Sequence, residues 1–418
     1  MSPKKLVAAL AGAVVLLAST TSLAQDAPDA GAAPVADTAT PPTDEATPPE
    51  GTSAPPEGTP TPPTDTAAPA AGDAFDFGPP ATETTPQVDD SQLTLNVYGD
   101  AGYTVRDNAA SNNDFSAAHF ELLPSYSTGR LSFLAEVMLE IGGNSLSVDV
   151  ERIQVAYVVA NWLRLKMGRF HSANGYYNDT YHHGAIFQLA TDRPFLVQFE
   201  DGGGLMEAHL VGVAADGTVS LGDLGDLRYD LEVGNGRLPH IEDVATTDSF
   251  KNFKRVNARV RWLPSFLEGL VIGFTGAADE IPAGMDPLMP TNRMFEAIVG
   301  SHVAYMENHF HVLFEGDMVL HHDTTTGIDY TTWGGFAELG YAIDDWTPYV
   351  RFEQISFAGN DDPYFATNVT GGVGDVRDLR IGINWHALPG VVFKLEGRHF
   401  ERPGFNQQSA LFQCAFGF

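Results

Sequence analysis

Between Phe253 and Trp262 the chain alternates strictly: Arg255, Asn257, Arg259 and Arg261 fall on one parity, and Val256, Ala258, Val260 and Trp262 on the other. A period of two puts the three guanidiniums on one face of an extended strand and the apolar groups on the opposite face. A row of fixed cations attracts, orients or repels charged solutes without making or breaking a bond. The same alternation carries Arg152, Arg164, Lys166, Arg228, Arg351, Arg380, Lys394 and Arg398, together with Glu121, Glu136, Asp230, Glu232, Glu315, Glu338, Glu353 and Glu396. A further set of acids, Asp179, Asp192, Glu200 and Asp201, lies in a segment with no strand period.

Bond-making chemistry finds less support. Among 13 histidines, His182-His183, His309 with His311, and His321-His322-Asp323 are grouped. An i, i+2 pair on a strand shares a face, as a metal clip needs, but no third ligand is fixed by spacing and the single cysteine is Cys414. We therefore expect no metal and no cofactor. The run His171-Ser172-Ala173-Asn174-Gly175 resembles the His-x-Ser-Asn-Gly motif of outer-membrane phospholipase A, but Ser172 adjoins His171 and Ala173 intervenes before Asn174. No other nucleophile-plus-base spacing stands out, so the expectation is no enzyme.

Strands must position these groups. The 418 residues include 42 glycines, 26 phenylalanines and 13 tyrosines, a mixture rich in strand formers. Alternation predicts sixteen strands near 92–106, 117–127, 130–141, 146–160, 162–170, 204–214, 226–235, 252–263, 268–278, 294–306, 308–320, 330–343, 345–357, 376–387, 390–400 and 409–418. After residue 24 no stretch approaches the ~20 apolar residues of a membrane-spanning helix. Alternation alone does not separate a soluble sandwich from a barrel in lipid. Connection lengths do, because odd-numbered gaps are long while most even-numbered gaps are as short as Thr128-Gly129, Asn161, Glu307 or Asp344. Long loops at one rim and short turns at the other are the pattern of outer-membrane barrels. One even gap, Ala215 to Gly225, departs from it.

On the last strand Ala410, Phe412, Cys414, Phe416 and terminal Phe418 share one parity, so the apolar face ends on an aromatic. In its strand count, terminal Phe418 and longest third outer loop, the region 91–418 resembles the Gram-negative outer-membrane porins, including in outline the phosphate-selective ones. Gly168-Arg169-Phe170 is similar to the start of the inward-folded third loop in those porins. The acidic PEFGG-type loop signature is missing. So is a lysine-rich pore, with only Lys166, Lys251, Lys254 and Lys394 in the region. The resemblance implies a homotrimeric transmembrane antiparallel β-barrel for ion and solute transport, with its apolar parity against outer-membrane lipid.

Sixteen strands enclose a channel too wide for wall side chains to fill. The 33-residue third loop, His171 to Gly203, holds Ile186, Phe187, Leu189, Phe195, Leu196, Val197 and Phe199. That is too much apolar surface for a free loop, so we expect it to fold inward as the constriction. Charge facing lipid at the midplane costs ~2–4 kcal/mol, which assigns the charged parity to the lumen. Arg152, Arg164, Lys166, Arg228, Arg255, Arg259 and Arg261 are thus expected to line the pore, opposite Asp179, Asp192, Glu200 and Asp201 of the loop, the two signs making a transverse field.

Before residue 91 the composition changes twice. Lys4 and Lys5 precede an apolar run and Ser22-Leu23-Ala24, a secretory signal over 1–24. Residues 25–90 hold 15 of the 27 prolines, a periplasmic spacer expected to be disordered, with Phe75-Asp76-Phe77 its one apolar island. Residues 91–418 carry 41 acids against 21 bases, which argues against nucleic acid as a partner. The expected function is passive diffusion through a water-filled channel. The alternative is a structural barrel whose extension ties the membrane to the periplasmic cell wall.

Overall fold

The computed structural model describes residues 91–107, 113–116, 119–142, 145–181, 184–198, 205–240, 253–284, 292–357, 362–369 and 373–418. The leader, the spacer, His182-His183, Glu200 and Asp201 lie outside them.

Sixteen strands run β1 (Gln92–Arg106), β2 (in two pieces, Asp114–Ser116 and His119–Thr128), β3 (Leu131–Gly142), β4 (Ser145–Ala160), β5 (Leu163–His171), β6 (His209–Ser220), β7 (Asp226–Asn235) and β8 (Arg255–Leu263). They continue as β9 (Leu270–Ile281), β10 (Met294–Tyr305), β11 (Phe310–Asp323), β12 (Asp329–Tyr341), β13 (Trp346–Ser356), β14 (Val376–Leu388), β15 (Val391–Arg402) and β16 (Phe405–Gly417). Each pairs antiparallel with the next. The sheet closes where β1 meets β16, from Tyr98 opposite Gly417 to Arg106 opposite Ser409. Along the paired span closure leaves no free edge, so backbone groups there partner one another without water. Leu93, Leu95, Phe274, Ile381, Leu395 and Phe412 are exposed on the outer face, an apolar belt that water would penalise and lipid would not.

The sixth strand corrects the sequence-based boundary of 204–214. It runs to Ser220, and only Leu221–Gly225 turns the chain into β7, with the Leu221 N–H donating to the Gly225 carbonyl at 2.8 Å. Ala215-Asp216-Gly217 looks like a turn locally. Tertiary pairing overrides that, because Asp216 meets Arg164 and a Cβ at Gly217 would run into the Trp162 carbonyl. Glycine there marks close approach of a neighbour. With this change the even-numbered connections are short throughout. The odd rim is less uniform than expected, since β15 and β16 are joined only by Pro403-Gly404.

The largest buried apolar cluster sits inside the barrel. Tyr177 and Tyr181 of α1 (Tyr177–Tyr181), with Phe195, Leu196, Tyr364 and Phe365, pack on inward-facing Ile298, Leu313, Val319, Phe336 and Ile355. Tyr364 and Phe365 belong to α2 (Pro363–Asn368), a second inward element, whose amino-terminal N–H groups are capped by Asp362.

Candidate functional site

The connection from β5 to β6 enters the lumen and is held by polar groups on the inner wall. Its amides donate to wall carboxylates: Ala173 N–H to Glu232 at 2.9 Å, Tyr176 and Tyr177 N–H to one oxygen of Glu315 at 2.7 and 2.9 Å, and Leu196 N–H to Glu353 at 3.1 Å. Thr191 bonds Glu396 through its hydroxyl at 2.8 Å. Its carbonyls are met by wall donors. Lys394 Nζ reaches the Ala185, Gln188 and Ala190 oxygens at 2.5, 2.8 and 2.9 Å, and Asn384 reaches Leu189 O at 3.0 Å. A non-repetitive backbone buried in a barrel needs such partners, which explains why charged residues of the inner parity recur from β7 to β15. Gly175 has φ +73°, and a Cβ there would overlap the Glu315 carboxylate.

The expected acids and arginines do come together, but not as two banks facing across a gap. Asp179 contacts Arg259 at 2.5 Å and Arg261 at 3.7 Å, and Arg259 also bonds Asp230 at 2.9 Å and Gly175 O at 2.6 Å. Asp192 stands 3.5 Å from Arg380. Contact pairing replaces the transverse field drawn from the sequence: apposed opposite charges cancel most of each other's distant potential. Arg255 lies on the inner wall yet is fully covered, bonded to Glu207 and Glu296 at 2.7 Å each. Arg152 is buried against Glu136. Arg164 and Lys166 share Asp216 at 2.9 and 3.4 Å and keep part of their surface open, as does Arg228.

Burial pushes the Asp179 carboxyl up, but Arg259 and Arg261 outweigh it and hold the group below the usual range. Asp192 behaves alike under Arg380, Arg398 and Arg351. Glu207, in the approach to β6, is pushed by burial up to about 7 against the pull of Arg255.

The two look-alike motifs resolve into structural roles. Ser172 is fully buried, its hydroxyl donates to Glu207 O at 2.8 Å, and Asn174 donates to that hydroxyl at 2.6 Å. His309 sits in a turn at φ 72°, so it does not share a strand face with His311, which bonds Glu338 at 2.9 Å. His321 is held between Glu296 and Asp362 at 2.9 and 2.7 Å. Among the described residues no group of three His, Cys, Asp or Glu is arranged to hold a metal.

Sequence reasoning missed the apolar half of the inner wall and α2. The signal was present in runs apolar on both parities, such as Ala297-Ile298-Val299 and Met318-Val319-Leu320, which read as strands buried on both faces.

No family model and no curated protein matches the chain. Solved structures do match its fold. An anion-selective porin from Comamonas acidovorans aligns with TM-score 0.58 at 10% identity, over 79% of this chain and 100% of that one. The outer membrane channel DcaP of Acinetobacter baumannii aligns with TM-score 0.51 at 10% identity, over 78% and 97%. The trimer form of OmpT, an outer membrane protein of Vibrio cholerae, aligns with TM-score 0.53 at 9% identity, over 79% and 100%. Residues 91–418 therefore have the closed sixteen-stranded fold of the Gram-negative outer-membrane porins.

Proposed function

We propose that this protein is an outer-membrane channel for passive diffusion of ions and small hydrophilic solutes. In this reading it works as a homotrimer, with residues 25–90 in the periplasm once the leader over 1–24 is removed. The observation that carries the reading is the loop pinned inside the barrel. It fills the β9–β14 side of the lumen with packed side chains, while Arg164, Lys166, Arg261, Asp179, Asp192, His119 and Arg398 stay partly exposed. Solutes would pass along those charged groups. A narrow path lined by both signs favours small hydrated species over large or apolar ones.

The packed lumen also favours a second reading, a closed structural barrel with residues 25–90 as a tether to the cell wall. Single-channel recording of the purified protein in planar bilayers separates the two. Small discrete steps that grow when residues 175–190 are deleted support the channel. A silent full-length protein that conducts only after the deletion supports the plugged barrel. Conductance untouched by the deletion would leave the loop with no part in narrowing the path.

A further inference from the structure

At the short-turn rim the two strands of the seam end at different heights. β16 stops at Gly417, which stands opposite Tyr98, and one residue further Val97 exchanges both backbone bonds with Phe418 at 2.9 Å each. β1 continues past that point through residues 92–96, paired on one side with β2 from Asn96 opposite Leu123 to Gln92 opposite Ser127. On the other side nothing among the described residues pairs with it. Bonding direction alternates along an antiparallel strand, so Leu95 and Leu93 send their N–H and C=O groups to the side on which Val97 meets Phe418. The open edge is also apolar. Leu95 and Leu93 are 58 and 75% exposed on the outer face, a combination that recruits a further strand, and backbone groups left unmet beside lipid are costly. Aromatics flank the gap on both sides: Tyr126 stands opposite Leu93 and Phe133 opposite Tyr126, while across the seam Phe418 is 71% exposed beside Phe416.

The extension that precedes β1 joins the barrel at this edge. Within residues 25–90 the longest run without proline is 70–78, and it holds the only aromatics of the extension, Phe75 and Phe77. Proline cannot donate to a ladder, so Gly78-Pro79-Pro80 ends any strand directly after Phe77, and residues 78–92 are ample to turn the chain back beside β1. We propose that residues 74–77 add an antiparallel strand to the open edge of β1, with Phe77 opposite Leu93 and Phe75 opposite Leu95. Directly opposite residues share a face, so both rings join the apolar outer surface between Tyr126 and Phe418, and Asp76 falls opposite Thr94 on the parity away from it. The added strand meets the free backbone groups of Leu93 and Leu95 as in β-augmentation. Tethering gives this segment a higher effective concentration at the edge than a separate molecule has. The proposal does not rest on the channel reading, since a conducting barrel and a plugged one share the same open edge.

Disulfide formation in the full-length protein folded in detergent is the test, with Cys414→Ser removing the native thiol. Thr94→Cys is combined either with Asp76→Cys or with Thr85→Cys. The backbone groups of Thr94 point toward β2, so a side chain directly opposite it across the seam comes within disulfide reach. An undocked tether closes the shorter loop sooner, because effective concentration falls as roughly the −3/2 power of length, and the 85–94 pair should then oxidise about 3-fold faster than the 76–94 pair. Docking reverses that order. The 76–94 pair should oxidise about 10-fold or more faster, within one chain, and Phe75→Ser/Phe77→Ser should remove the advantage. In the protein without added cysteines, hydrogen exchange over residues 92–97 should accelerate about 10-fold or more in Phe75→Ser/Phe77→Ser while heat-modifiable migration persists. Oxidation in the order of loop length would overturn the proposal. So would cross-links between two chains, which assign the edge to a second copy, or protection over 92–97 indifferent to both phenylalanines, which assigns it to another occupant.

Discussion

Asp179 of the inward loop and Arg259 of β8 meet at 2.5 Å, and the same guanidinium bonds Asp230 on its own wall and the Gly175 carbonyl of the loop. Arg259 thus fastens the loop to the barrel at two points 4 residues apart in sequence.

That fastening responds to acid. Asp179 and Asp192 are held below their ordinary value of 3.8 by arginines, after burial has pushed the other way. A depressed carboxyl contributes stability above its unfolded value and loses it as pH falls through the folded one. The contribution of these two carboxylates to loop docking should hold from pH 7 down to pH 5, roughly, and be lost in the acid range below 3.8, read as noisier and larger single-channel current. The Asp179→Asn/Asp192→Asn variant should show that behaviour already at neutral pH. An acid response identical in the variant and the parent would refute the assignment.

Lys394 is 1% exposed and spends its three protons on Ala185, Gln188 and Ala190 carbonyls. Lys394→Met keeps the volume of the stem and strands three buried acceptors, at a cost on the order of 3 kcal/mol. The loop rather than the wall should suffer, because the β15 ladder does not depend on that side chain. Limited proteolysis inside 184–198 should accelerate in the variant while heat-modifiable migration persists.

Gly175→Ala puts a methyl group onto the Glu315 carboxylate at a backbone φ of +73°, which L side chains rarely adopt. Strain of roughly 1–3 kcal/mol is expected, lowering the urea midpoint of unfolding. Gly327→Ala is the comparison, since it has a φ of +72° but open space around the added Cβ, and it should cost less. Equal effects would mean that backbone strain alone, without the Glu315 overlap, sets the penalty.

Cys414 lies on the outer face of β16 between Phe412 and Phe416, opposite Phe393 of β15. In lipid it should behave as a small hydrophobe. A membrane-impermeant maleimide should leave it unmodified in intact vesicles and label it after denaturation. Fast labelling in vesicles would put this stretch of β16 outside the membrane.

Much of this molecule is written in local pattern. Alternation places Arg255, Arg259 and Arg261 on the inner face and Cys414 on the outer one, because side-chain direction in a strand has a period of two whatever the fold. The apolar content of residues 171–203 likewise announces a loop that must be buried. What pins that loop is not local. Thr191 finds Glu396 across 205 positions of sequence, and Lys394 finds Ala190 across 204, partnerships that exist only once β1 has closed on β16 and brought β15 beside the lumen that the loop fills. Tertiary contacts also decided that Asp179 touches Arg259 instead of facing it across water, and pairing with β5 and β7 that Asp216-Gly217 extends a strand instead of turning it. In each case the local preference was weak and the neighbouring strand supplied the stronger interaction.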